Sequence, residues 1–281
     1  VTVIVRLLKP FRDSVRKIMN AKMGLTVVFA LLSPSLLAQD HPVPHHYFSK
    51  THDEHVTKWG YSGDSGPSFW SELDPSYRLA KSGKRQSPID INTKQTPVAP
   101  LPELKFDYRR ERIAAINNGH TIQHNEAPGS FLYIGGDKFS LEQFHMHSPS
   151  EHTIDGAHFD LEIHFVHKSE SAGVAVVGVL VHADDKAVLD FPLYNALPTQ
   201  TNEIVELDAM RNPSDYLPRS RDYFRYSGSF TTPPCTEQVQ WIVMKQSIGA
   251  PRKLIDRFAA ILKSNNRPTQ MLNDRVVERS K

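Results

Sequence analysis

Alternating apolar and polar positions dominate the middle of the chain. Leu104 to Tyr108, Arg112 to Ile116, Thr121 to His124, Phe131 to Ile134 and Phe139 to His147 are strand-length runs separated by polar or glycine-containing breaks. Asn117-Asn118-Gly119 is a turn signal, and Gly135-Gly136-Asp137 predicts a tight hairpin turn into the strand ending at His147. Val174 to Val181 is almost wholly apolar and β-branched, the pattern of a strand covered on both faces. Gln238 to Met244 predicts one more strand. Helical periodicity is scarcer. Pro251 to Leu262 carries Leu254, Phe258 and Ile261 on one stripe and has proline near its start. Ser71 to Ala80 predicts a short helix, and Asp190 to Leu197 and Asn202 to Ala209 read as helical turns. No internal repeat is present. The pattern alone gives a β-dominated α+β domain.

Inside that pattern, the stretch Leu141 to His167 concentrates metal-binding side chains. His145 and His147 lie two apart in one alternating run, and Glu162 and His164 two apart in another. Residues two apart on a strand share a face and stand roughly 6.6 Å apart along it, at about 3.3 Å per residue. If the two runs pair, three imidazoles converge. Three neutral histidines with an open fourth position suit a catalytic zinc ion. Gln143 shares the face of His145 and Glu162 that of His164, and a ligating imidazole usually donates its second N–H to such a group. His167 points to the other face, and His152 and His158 fall in the connection, so none of these three is expected to ligate. Taken alone, His-x-His fits two hydrogen-bonded histidines on a strand equally well.

Charge and composition change the picture mainly at the N-terminus. The 281 residues carry a formal charge of +2. Residues 1–38 hold six of the bases and one acid; the remaining 27 bases face 30 acids, a net of −3. A mildly acidic body gives no case for a nucleic-acid partner. Met19 to Lys22 resembles a short basic n-region and Met23 to Leu37 an apolar h-region, with Ala38 before Gln39. Residues 1–38 are therefore expected to be a leader, with translation starting at Met19, and the mature protein to be periplasmic or secreted, without stable membrane association once the leader is removed. Residues 39–58 form a polar arm with His41, His45, His46, His52 and His55, fitting a solvated arm or a weak metal-collecting tail. Residues 59–281 then make a single domain. The one cysteine, Cys235, excludes an internal disulfide.

The segment Ser150-Glu151-His152-Thr153-Ile154, with Phe159 and then Glu162-Ile163-His164-Phe165-Val166, resembles the signature of the alpha-class carbonic anhydrases, bacterial exported members among them. Matching segments follow the same order: Trp59-Gly60-Tyr61, Gln86-Ser87-Pro88-Ile89-Asp90, Asn117-Asn118-Gly119-His120, Gly228 to Pro234, Trp241-Ile242-Val243 and Arg267-Pro268-Thr269-Gln270. The resemblance runs from Trp59 to the C-terminus. It implies a central twisted, mostly antiparallel sheet of about ten strands with short peripheral helices. It also implies reversible hydration of CO2 to bicarbonate and a proton by a metal-bound hydroxide, with one zinc ion per chain on His145, His147 and His164.

By the same resemblance Thr231 relays a hydrogen bond to Glu151, and Thr232 touches bicarbonate. His120 is the proton shuttle, its ordinary pKa of roughly 6.5 suiting that task. Tyr61, Asn118 and Gln123 order water between it and the metal; the family often carries Asn where Gln123 stands. Val166, Val176, Phe230 and Trp241 line an apolar wall for CO2. Phe230 replaces a smaller aliphatic residue common in the family and is expected to narrow the pocket. Exported relatives often bridge a cysteine after Thr-Thr-Pro-Pro to one shortly before Gln-Ser-Pro; Leu79 to Gly83 contains none, so Cys235 is expected to be a free thiol. The expected partner is the small-molecule substrate, and a homodimer stays open. Two other readings compete: a catalytically silent carbonic-anhydrase-like binding module, and an exported metal-binding protein built on the histidine-rich arm.

Overall fold

A computed structural model describes residues 3–7, 58–187 and 196–281. The leader's apolar core, nearly all of the histidine-rich arm and most of Asp190 to Leu197 lie outside the described residues. In chain order the strands are β1 (Val3–Leu7), β2 (Asp90–Ile91), β3 (Leu104–Asp107), β4 (Glu111–Asn117), β5 (Ile122–Asn125), β6 (Phe131–Ile134), β7 (Asp137–His147) and β8 (Thr153–Ile154). Then come β9 (Ala157–His158), β10 (Leu161–Ser169), β11 (Gly173–Ala183), β12 (Glu203–Arg211), β13 (Tyr223–Ser229), β14 (Glu237–Met244), β15 (Ile248–Ala250) and β16 (Glu278–Arg279). Among the described residues the α-helices are α1 (Trp70–Leu73), α2 (Leu79–Ser82) and α3 (Arg252–Leu262).

One 13-stranded sheet runs in the order β1-β12-β4-β5-β7-β10-β11-β14-β13-β16, with β6 pairing β7, β3 pairing β6 and β15 beside β11. Its pairings are antiparallel except β11 with β14 and with β15. A second, small sheet joins β2, β8 and β9. The expected architecture is therefore present, larger at the edges than about ten strands because β3, β6 and β15 branch from the main path. Val3–Leu7 pairs antiparallel with β12 at one edge, Val3 opposite Leu207 and Leu7 opposite Glu203. The hairpin turn falls at Gly135 and Gly136, whose φ angles of 58° and 107° suit a two-residue turn that demands positive φ.

Two expectations need correction. Asn202 to Ala209 is not helical: β12 pairs with β4 across this segment, burying Val205 and Leu207 and exposing Glu206 and Asp208. That period of two, with Ile204 and Val205 branched at Cβ, is strand chemistry. The helix expected over Ser71 to Ala80 is broken into α1 and α2. Pro75 has no N–H to continue a helix, and the Asp74 carboxylate accepts from the Ser76 N–H at 2.8 Å, starting a separate 3-10 turn.

Alternation along the central strands makes two apolar clusters on opposite faces. Phe144, Met146, Ile163, Phe165, Val177 and Val179 point to one side and pack with Leu254, Ile255 and Phe258 of α3. On the other side Val176, Leu180, Tyr226, Val239 and Trp241 pack together. The polar residues of β7 and β10 emerge on this second side.

Candidate metal centre and active site

β7 and β10 pair antiparallel with His164 opposite His145 and Glu162 opposite His147. The shared face follows directly. The three imidazole centroids lie 4.6–5.3 Å apart, and one candidate ligand nitrogen from each ring falls within 4.8 Å of the others. In each ring the other nitrogen lies close to an acceptor oxygen. Nδ1 of His145 is 2.7 Å from Gln143 Oε1, Nδ1 of His147 is 2.7 Å from the Asn265 carbonyl oxygen, and Nε2 of His164 is 2.9 Å from Glu162 Oε1. A carbonyl oxygen only accepts, so the His147 proton sits on Nδ1 and leaves Nε2 as a lone-pair donor. The same logic turns Nε2 of His145 and Nδ1 of His164 inward.

Burial lowers the pKa of all three rings, and for His145 the neighbouring His147 and His164 lower it further. His147 reaches about 4. Neutral imidazoles are what a metal ion needs. The buried Nε2 of His147 has no hydrogen-bond partner and stands 3.5 Å from Oε2 of Glu151. Buried orphans of this kind are rare and call for an explanation, and a cation or a water in this cleft supplies one. The donor set and its tautomers fit zinc.

Glu162 is the hub behind the tripod. Its Oε2 accepts from the N–H groups of Glu151 and His152 at 2.9 and 2.8 Å, and its Oε1 faces His152 Nδ1 at 2.7 Å as well as His164. Burial pushes its pKa up, but His152 and His164 outweigh burial and hold it well below the usual carboxylate range. The carboxylate passes over Gly178, where a Cβ would stand 2.7 Å from Oε1, so only glycine leaves room for it.

Glu151 is fully buried, and its Oε1 accepts from the Arg267 N–H at 2.8 Å. Burial pushes its pKa up to about 7, against the pull of His164, the Arg267 N–H and the Thr231 hydroxyl. The Thr231 hydroxyl therefore lies beside the Glu151 carboxylate. His120 is half-buried, which lowers its pKa, and its ring stacks on Trp59 with centroids 3.7 Å apart and planes 6° apart. Asn118 accepts from the N–H groups of His120 and Thr121 and donates to Gln123 Oε1, while Gln123 donates to Asn125. The polar atoms of Asn118 and Gln123 thus bind one another and the turn. Tyr61 packs edge-on against Trp59 and Trp70; burial, with Glu151 nearby, raises its pKa well above 10.

The expected apolar wall is assembled by register. Val166 lies opposite Gln143 on one side and Val176 on the other, and Val176 lies beside Trp241. This row borders the row of His145 and His164. The Trp241 and His164 rings are 4.8 Å apart. Phe230 packs against the same cluster, and Thr232 follows Thr231 in the adjoining loop.

Sequence reasoning missed three residues. His152 is not a spare histidine of the connection: it binds Glu162 through Nδ1 and the Tyr226 hydroxyl through Nε2, each at 2.7 Å. Because both nitrogens are used, the second metal-like cluster of His152, Glu162 and His164 is a closed hydrogen-bond network. His152 adjoins Glu151 in the signature, and that adjacency was its available signal. Asn265 and Arg267 act on His147 and Glu151 through backbone atoms, which no side-chain pattern reveals. His167 turns to the opposite face, where Nε2 meets the Tyr108 hydroxyl at 2.6 Å, as expected.

A tripod of neutral imidazoles braced by carboxylate, amide and carbonyl, beside an apolar wall, is the arrangement of a mononuclear metalloenzyme. Residues 65–281 match the family model for eukaryotic-type carbonic anhydrase, and the chain belongs to this alpha-class carbonic anhydrase family and is an enzyme of that kind. It is 40% identical to a carbonic anhydrase of Nostoc sp. over 79% of this chain and 86% of that protein. It is 38% identical to one of Neisseria gonorrhoeae over 82% and 91%. Among solved structures, the alpha-carbonic anhydrase of Thermovibrio ammonificans in complex with the inhibitor sulfanilamide matches with a TM-score of 0.77 and 39% identity, covering 80% of this chain and 100% of that one.

Proposed function

We propose that the chain catalyses zinc-dependent reversible hydration of CO2, with His145, His147 and His164 holding one zinc ion and His120 moving the proton. The observation that carries this is the convergence of three neutral ring nitrogens within 4.8 Å, each ring braced from behind. When bound, zinc supplies Lewis acidity that makes water nucleophilic near pH 7, an effect for which carbonic anhydrases are the standard instance. Gln143, Glu162 and the Asn265 carbonyl fix the rings. Thr231 donates its hydroxyl proton to Glu151 and keeps an oxygen lone pair for the nucleophile, which sets the direction of attack. Val166, Val176, Phe230 and Trp241 hold CO2 against that nucleophile, and Thr232 receives bicarbonate.

His120 takes up the released proton on a ring nitrogen and passes it to buffer, across water ordered by Tyr61, Asn118 and Gln123. Residues 59–281 are the catalytic domain. Residues 1–38 act as an export leader to the periplasm or outside, and residues 39–58 as the polar arm. Among the described residues no helix is long and apolar enough to cross a membrane. Zinc analysis together with stopped-flow CO2 hydration, with His164→Ala as control, tests the reading. Hydration far above the control is expected; a zinc-loaded, unmutated protein no faster than the control rejects it.

A further inference from the structure

The loop carrying Thr231 is gripped at both ends by two consecutive residues of a distant segment. At its start, the Ser87 N–H donates to Ser229 Oγ at 3.0 Å, and the Ser229 N–H donates back to Ser87 Oγ at 3.1 Å. At its end, Gln86 Nε2 donates to the Cys235 carbonyl at 3.1 Å. The same amide nitrogen donates to Glu237 Oε1 at 3.1 Å, and that oxygen also accepts from the Arg85 N–H at 2.7 Å. Gln86 Oε1 accepts from Arg267 Nη1 at 2.9 Å. The Arg267 guanidinium further donates to the carbonyls of Ser87 and Ala80, at 2.8 and 2.9 Å, and its backbone N–H holds Glu151. Gln86, Arg267 and Cys235 are 3%, 1% and 0% exposed.

We propose that Gln86 is a positioning residue whose side-chain amide joins the two supports of the reaction, the Arg267 backbone that holds Glu151 and the Cys235 end of the Thr231 loop. This rests on the carbonic anhydrase reading above. A guanidinium only donates, so the amide oxygen must face Arg267, which aims both amide hydrogens at Cys235 and Glu237. The orientation of Gln86 is thus set by chemistry. The clamp is also tight. A Cβ on Gly83 would stand 2.4 Å from Gln86 Nε2, 2.6 Å from Glu237 Oε1 and 2.7 Å from the Leu79 carbonyl oxygen, so a side chain there displaces the clamp and the end of α2 without touching the active site. With Cys235 a free buried thiol, this polar clamp is what ties the loop to the segment before Gln86. A misplacement of about 1 Å in a reacting group costs on the order of 100-fold in rate, which is why a grip two hydrogen bonds from Glu151 matters.

The test uses the full, zinc-loaded chain and two readouts: the rate at which a chromogenic disulfide reagent labels Cys235, and kcat and KM for CO2 hydration. Gln86→Ala is expected to label at least about tenfold faster and to lose on the order of 10- to 100-fold in kcat, with zinc content unchanged and KM little moved. Glu237→Ala and Gly83→Ala follow in the same direction. Glu237→Gln, which keeps an acceptor oxygen for Arg85 and Gln86, stays near the unmutated protein in both readouts. Should Gln86→Ala not fold, the Glu237→Ala and Glu237→Gln pair decides. Unchanged labelling overturns the clamp, and faster labelling with unchanged kcat overturns its positioning role. An unmutated enzyme without hydration activity rejects the carbonic anhydrase reading instead, and labelling alone then decides the clamp.

Discussion

Replacing Glu162 by Gln changes one oxygen for an amide while keeping the shape. Each Glu162 oxygen faces two nitrogens: the Glu151 and His152 N–H groups on Oε2, His152 Nδ1 and His164 Nε2 on Oε1. Whichever way the amide turns, its NH2 meets one of those pairs, and two contacts are lost. If it faces His164, the ring loses the acceptor that keeps its proton on Nε2 and its lone pair on Nδ1. Loss of such a partner typically weakens metal binding 10- to 100-fold, or about 1.4–2.7 kcal/mol. If it faces the backbone, two buried N–H groups lose a charged acceptor worth about 1.5–3 kcal/mol each, and the loss appears in the metal-free fold. Zinc affinity by chelator competition and thermal unfolding of the metal-free protein separate the two. Expected are a weakened zinc Kd, a lowered metal-free Tm, or both. Glu162→Gln with zinc affinity within twofold and an unchanged metal-free Tm refutes the assignment of Glu162 as the hub.

Glu126, pushed up to about 10 by burial and then by its hydrogen bond to Glu111, holds its proton in the folded protein far above its unfolded value near 4.5. Its contribution is whole below pH 4.5 and falls away between there and about 10, so Glu126→Gln should flatten the decline of Tm across that range; an equally steep decline counts against the pair. Trp59→Ala should expose the stacked His120 ring and raise its pKa toward 6.5, visible by NMR titration; no upward movement shows that Trp59 does not desolvate it. Export with removal of residues 1–38 predicts a mature mass beginning near Gln39, and an intact mass that retains Val3–Leu7, the strand on β12, contradicts it.

The candidate ligands were legible because a strand's period of two is local: His145 and His147, and Glu162 and His164, share a face whatever the rest of the chain does. The buried strand at Val174 to Val181 and the stripe of α3 were legible for the same reason. β12 was misread because its burial comes from pairing with β4, ninety residues earlier in the chain. The roles of Val166, Val176 and Trp241 came from resemblance, and register then aligned them in one row across three strands.

What the sequence settled by itself was the inventory of the site: three imidazoles, the Glu162 carboxylate and the Gln143 amide, each committed to a face by alternation. Only the folded chain decided which nitrogen of each ring points inward. For His147 that depends on the Asn265 carbonyl reaching its ring from 118 residues away, and the Arg267 N–H reaches Glu151 across 116 in the same way. A backbone carbonyl or N–H is the same in every non-proline residue, so its placement leaves no mark on composition or spacing and exists only once the long-range contacts have formed.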